Sequence, residues 1–239
     1  MTKGLFVFLV FIIAIILTAS SNKVKLTFGN ESFIKSVDEI YNKLEIKNLS
    51  FDAFKIAITG FIKIQNQNLL SNDSLITIID YSLPSTEERF FVIDIKNFHL
   101  LKESLVAHGK STGDLCPENF SNRMQSHQSS LGFFITEDTY EGKHGYSLRL
   151  NGIEKNINDN AMERAIVIHG ASYVSDYYIK KYGRIGRSFG CPALPIDQNR
   201  QIIDLIKDNT CLFIYFPASD YLSKSTFAIP DNYSQIIGQ

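Results

Sequence analysis

The chain has little with which to hold itself together covalently: three cysteines, Cys116, Cys191 and Cys211, in 239 residues. That excludes a dense disulfide framework. Neither sign of charge is in excess. The net charge is −1 and there is no long basic run. This argues against nucleic acid as the main partner, because phosphate binding needs a concentrated positive surface. No His-Glu-x-x-His or comparably tight ligand spacing occurs, which argues against a zinc peptidase and leaves no metal site to expect. Internal repeats and low-complexity tracts are missing as well. Long apolar runs are confined to one place, the thirteen residues 5–17. That run is too short for a comfortable membrane span, which takes about 20 residues.

What surrounds the run gives it a meaning. Lys3 precedes it, and the small residues Thr18-Ala19-Ser20-Ser21 follow. Together these are the three parts of a secretory signal peptide, so the expectation is export, to the periplasm or cell envelope. Membrane attachment is expected only if this segment stays uncleaved, and no cysteine follows it to carry a lipid. The remainder, 44% hydrophobic and 21% charged over the whole chain, has the composition of a globular protein. An odd cysteine count outside the cytoplasm leaves at least one thiol free or paired between molecules.

The chain divides by texture into residues 1–21, a helical segment 22–74, a mainly β body 75–217 and a tail 218–239. Apolar residues at Phe33, Ile34, Val37, Ile40, Tyr41 and Leu44 have the spacing of one helix face. Ser50 suits the N-cap of a second helix carrying Phe51, Phe54, Ala57, Ile58 and Phe61. Strands are expected at 75–81 and 89–95, paired as a hairpin, then at 103–107, 131–136, 147–150, 165–168 and 211–216. A helix is expected at 196–207. Residues 111–130 read as a long surface loop, of the kind that often carries function. The fold class is α+β: a helical preface on a sheet that curls into a sandwich or partial barrel.

The chemistry concentrates in residues 165–195. Ala165-Ile166-Val167-Ile168 reads as a buried strand ending at His169-Gly170, and strand ends opening into loops present reactive groups. Gly183, Gly186 and Gly190 punctuate the path to Ser188-Phe189-Gly190-Cys191-Pro192. Gly190 allows close backbone approach, and Pro192 has no amide hydrogen. The amides left to face a developing oxyanion are those of Phe189, Gly190 and Cys191. A thiol of ordinary pKa, about 8.5, is mostly protonated at neutral pH, and a neighbouring imidazole can take its proton. Such a pair attacks a carbonyl and forms a thioester. Against this, a cysteine in apolar surroundings is commonly a small core hydrophobe. That reading fits Cys211, within Thr210-Cys211-Leu212-Phe213-Ile214, whereas Cys116 sits beside Pro117 in the polar loop. A Cys116–Cys211 bridge is not expected from those contexts.

This segment resembles the catalytic motif of the murein L,D-transpeptidase catalytic domain family, in which an upstream histidine is followed by Ser/Thr-His-Gly-Cys. Here His169 stands as the upstream histidine and Ser188-Phe189-Gly190-Cys191 as the terminal motif. The resemblance extends in order through Pro84-Ser85-Thr86, Val106-Ala107-His108-Gly109, Phe120-Ser121-Asn122, Ser129-Ser130-Leu131-Gly132, Gly142-Lys143-His144-Gly145 and Asn158-Asp159. It implies Cys191 as acylated nucleophile and His169 as base and later acid, with the Gly170 carbonyl orienting the imidazole. It implies an oxyanion hole at Gly190 and Phe189, and Ser188 and Arg187 bracing the turn or Arg187 meeting a substrate carboxylate. His108 and His144, each followed by glycine, are candidates for the same cleft. The implied partners are peptidoglycan stem peptides and carbapenem-type inhibitors, with no cofactor. Three features depart from the pattern: Phe189 replaces the motif histidine, Ala193 replaces an Asn or Arg, and the stretch of 18 residues between His169 and Ser188 is one longer than the family's usual range.

Two other readings stay open at this level. Water in place of an acceptor amine would make the same acyl-enzyme an L,D-carboxypeptidase. A non-catalytic cell-wall-binding protein of the periplasm would leave Cys191 spare.

Overall fold

The computed structural model describes residues 31–229. The expected export segment and the last ten residues lie outside them. The preface forms two helices, α1 (Glu31–Leu44) and α2 (Phe51–Asn66). Ser50 caps α2, its Oγ accepting from the Ala53 amide at 3.2 Å. Val37, Ile40 and Leu44 of α1 are buried as their spacing suggests, whereas Ile34 is exposed. Nearly all of α2 from Ala53 to Ile64 is buried. Gly60 lets it approach the sheet closely, since a Cβ there would lie 2.0 Å from the Phe133 ring.

Eight strands form one sheet in the order β3-β2-β1-β8-β4-β5-β6-β7: β1 (Leu75–Asp80), β2 (Phe90–Asp94), β3 (His99–Ser104), β4 (Gly132–Gly142), β5 (Gly145–Gly152), β6 (Val167–Gly170), β7 (Ala193–Leu194) and β8 (Cys211–Tyr215). β1 and β2 pair antiparallel, while β1 and β8 run parallel at the centre. Phe133 and Phe213 stack at 4.2 Å in the core. The sheet curls until the chain just past one edge meets the other edge. Ala107, three residues beyond β3, donates to the Ala193 carbonyl of β7 at 2.8 Å. The result is an α+β fold around a nearly closed, barrel-like sheet.

Several elements differ from the sequence reading. β6 begins at Val167 rather than Ala165 and so takes in His169 and Gly170, and β5 is longer by two residues at each end. The strand expected at 103–107 is β3, four residues earlier, because Asp94 Oδ1 accepts from the Lys96 and Asn97 amides and turns the chain at once. β4 continues to Gly142 through a half-exposed stretch without apolar alternation, pairing there with β5. Helix α3 (Asp176–Tyr182) was not anticipated and buries no residue, so it leaves no periodic signal. The expected helix at 196–207 is α4 (Ile196–Ile206). Beyond the β body, α5 (Ser219–Lys224) packs back through Tyr221, whose hydroxyl donates to the buried carboxylate of Glu154 at 3.3 Å.

Candidate active site

Closure of the sheet brings β6, β7 and the segment after β3 to one place. His169 occupies the third position of β6, opposite Ser147 of β5 and in parallel register with Ala193 of β7, two residues past Cys191. Its side chain is buried, and Nδ1 lies 3.0 Å from the Gly170 carbonyl oxygen. A carbonyl only accepts, so Nδ1 carries the proton and Nε2 keeps its lone pair. Burial holds the imidazole pKa below its ordinary 6.5, the Gly170 carbonyl opposes this, and His144 adds to the lowering. His169 is therefore neutral at neutral pH, as a base must be. His144 comes from the β4–β5 turn. It is exposed, and its ring stacks on that of His169 with centroids 4.6 Å apart.

Cys191 is half-buried against the start of β6. The Val167 amide donates to its sulfur at 3.5 Å, and the thiol donates to the Ala165 carbonyl at 3.6 Å. Burial raises the thiol pKa, while the Val167 amide, Arg164 and the residue's own amide pull it down. The sulfur is thus anchored two residues from His169 on the same strand, about 7 Å along it at ~3.3 Å per residue. In this resting arrangement the thiol's acceptor is Ala165, not the imidazole.

The turn that presents Cys191 is held by its neighbours. Gly190 has φ +128°, and a Cβ there would lie 2.9 Å from the Gln128 carbonyl, so the position requires glycine. Ser188 Oγ donates to the Cys191 carbonyl at 2.6 Å and accepts from the Gly190 amide at 3.0 Å. This corrects the expectation for the oxyanion donors: the Gly190 amide is already occupied. Neither the Phe189 amide nor the Cys191 amide has a hydrogen-bond acceptor among the described residues. The Gly190 carbonyl accepts from Ser129 Oγ at 3.2 Å.

The segment 107–110 splints the same turn from the other side. The His108 carbonyl accepts from the Ser188 amide at 3.0 Å, and the Lys110 amide donates to the Ser188 carbonyl at 2.8 Å. The His108 side chain does not line a cleft, which corrects the second expectation. It is fully buried, its Nδ1 accepts from Arg89 at 2.8 Å, and its Nε2 donates to the Gly113 carbonyl at 3.2 Å. Burial first, and Arg89 beside it, drive its pKa down to about 3. Arg187 braces the turn: it donates to the carbonyls of Lys110 and Gly113 and pairs with Asp114 at 2.5 Å. With that carboxylate in place it is not a free receptor for another.

Phe189, at the position of the motif histidine, is 66% exposed beside Cys191. Its ring lies 4.8 Å from that of His127, and Lys110 Nζ stands 4.3 Å from its centroid. Sequence reasoning missed His127, Ser129 as a brace, Arg164 and Arg89, because loop contacts leave no periodicity. Ser129 fell inside a matched motif, but its partner could not be read from that. Among the described residues no three His, Cys, Asp or Glu side chains gather as metal ligands.

A family model described as the L,D-transpeptidase catalytic domain matches residues 45–215. Among solved structures, similarity is found to an L,D-transpeptidase from Mycobacterium smegmatis (12% identity, TM-score 0.38, 60% of this chain and 59% of that one). An L,D-transpeptidase from Xylanimonas cellulosilytica is similar at 11% identity and TM-score 0.37, over 79% of this chain and 95% of that one. The L,D-transpeptidase LdtMt1, solved in complex with imipenem, is similar at 15% identity and TM-score 0.37, over 59% of each chain. The match spans about three-fifths of the length of the first of these structures. No curated protein matches the sequence.

Proposed function

The chain belongs to the L,D-transpeptidase catalytic domain family, and from that premise we propose that it is an exported cysteine acyltransferase acting on peptidoglycan stem peptides. The observation that carries the proposal is the arrangement on β6. His169 offers a bare Nε2, its Nδ1 proton being held by the Gly170 carbonyl, and the Cys191 sulfur is tied to the same strand by the Val167 amide.

The reaction has two halves. His169 Nε2 takes the Cys191 proton as the sulfur attacks the carbonyl at the L-centre of a diaminoacyl residue. The Phe189 and Cys191 amides are the donors available to the oxyanion. Collapse of the tetrahedral species breaks the peptide C–N bond. The imidazolium protonates the leaving nitrogen, D-alanine departs, and a thioester remains on Cys191. An amine of a second stem then attacks the thioester, gives its proton to His169 and frees the thiol. Because Cys191 is held protonated and His169 neutral at rest, the proton moves during attack, not before it. No cofactor enters either half.

The test is D-alanine release and cross-linked dimer formation from purified stem tetrapeptides. Both are expected from the native protein and neither from Cys191→Ala. D-alanine release without dimers would favour the L,D-carboxypeptidase reading. Full activity in Cys191→Ala would overturn the assignment.

A further inference from the structure

Arg164 stands immediately before the Ala165 carbonyl that receives the Cys191 thiol. Its guanidinium donates to four groups of the 121–130 loop: the carbonyls of Ser121 at 2.7 Å and Gln128 at 2.5 Å, and the hydroxyls of Ser126 at 3.2 Å and of Ser130. All four are neutral. Arg149, Arg184, Arg187 and Arg200 each meet a carboxylate, whereas Arg164 meets none among the described residues. A half-buried cation with only dipoles around it keeps its field. That field falls on the nucleophile turn, since a Cβ on Gly190 would sit 3.4 Å from Arg164 Nη2. We propose that Arg164 is the electrostatic partner of Cys191: its uncompensated charge stabilises the thiolate formed during attack, while its fork fixes the loop that roofs Gly190.

The other ionisable groups around the sulfur do not compete for this role. Tyr81, just past the end of β1, and Tyr173, beyond β6, are both pushed up to about 12, chiefly by burial, and stay neutral. His169 on β6 is held neutral until it takes the proton. Arg164 is the one charged side chain among the influences that lower the Cys191 pKa, and the same pairing opposes the lowering of its own.

The inference rests on Cys191 being the nucleophile, but its test reads the thiol and needs no substrate. In the full chain carrying Cys116→Ser, the rate of iodoacetamide alkylation at Cys191 is followed against pH, with Cys211 buried as an internal control for folding. Arg164→Gln is expected to raise the thiol pKa by about one unit or more, making alkylation at pH 7 roughly tenfold slower. Arg164→Lys, which keeps the charge and loses the fork, is expected to stay within a few tenths of a unit of the background. A Ser126→Ala/Ser130→Ala double variant, which weakens the loop clamp and keeps the charge, is expected to do the same. An unchanged pKa in Arg164→Gln would overturn the proposal, as would an equal rise in Arg164→Gln and Arg164→Lys. If Arg164→Gln exposes Cys211, the lysine variant decides: background pKa supports the proposal and a one-unit rise refutes it. Absence of stem-peptide turnover by the native protein, with these thiol results intact, would count against the proposed function instead.

Discussion

His108 predicts how the fold yields to acid. Its ring is fully buried between Arg89 and the Gly113 carbonyl, and its pKa falls from 6.5 to about 3 on folding. The unfolded chain therefore binds a proton that the folded chain refuses. A base whose folded pKa is depressed contributes stability that is fully present above pH 6.5 and is lost as pH falls towards about 3. At ~1.4 kcal/mol per unit, the loss is about 2 kcal/mol at pH 5 and about 5 kcal/mol once both pKa values are passed. That is a large share of the ~5–15 kcal/mol that keeps a typical domain folded. The perturbation is His108→Asn, which keeps an acceptor for Arg89 and cannot be protonated. The assay is urea denaturation at pH 7.5, 6, 5 and 4 for both proteins. The variant is expected to be the less stable at pH 7.5, because the bond to Gly113 is gone, and to lose less stability as pH falls. Since His169 is also depressed in both proteins, the difference between their pH slopes isolates His108. Parallel slopes would refute the reasoning.

Other consequences are direct. His169→Gln is expected to cut turnover by about 10²–10⁴-fold, since one group supplies both thiol activation and leaving-group protonation; a near-native kcat in steady-state kinetics would place the base elsewhere. Because the His169 pKa is held below 6.5, the acid limb of kcat/KM should lie below the ordinary histidine range, and a limb above pH 6.5 would contradict the burial argument. Gly60→Ala should cost about 1–3 kcal/mol by overpacking against Phe133, visible as a lowered denaturation midpoint with activity retained. A carbapenem should acylate Cys191, as a peptide map would show; an adduct elsewhere, or none at high excess, would count against the nucleophile.

Much of the fold could be read from pattern because burial is periodic. α2, β1, β2, α4 and β8 each bury most of one face or of both, and their apolar spacing carries that directly. α3, with no buried residue, and the outer half of β4 could not be read, since solvent imposes no period. The site divides in the same way. His169, Gly190 and Cys191 stand in a short motif whose chemistry shows in residue type. The roles of Ser129, Arg164 and the buried His108 depend on contacts across 17 to 61 positions, made only when the sheet closes. The Gly190 amide shows the limit most clearly: it looks free in a Gly-Cys turn until Ser188 Oγ is seen to occupy it.

The central claim is a covalent intermediate on one sulfur, and intact-protein mass spectrometry with peptide mapping tests it most directly. The native protein, quenched in acid during turnover of purified muropeptides, should gain the mass of the donor stem less D-alanine. The adduct should map to Cys191 and be removed by hydroxylamine, as a thioester is. D-alanine release with no adduct at Cys191 under any quench, or an adduct of the same mass persisting in Cys191→Ala, would contradict the account.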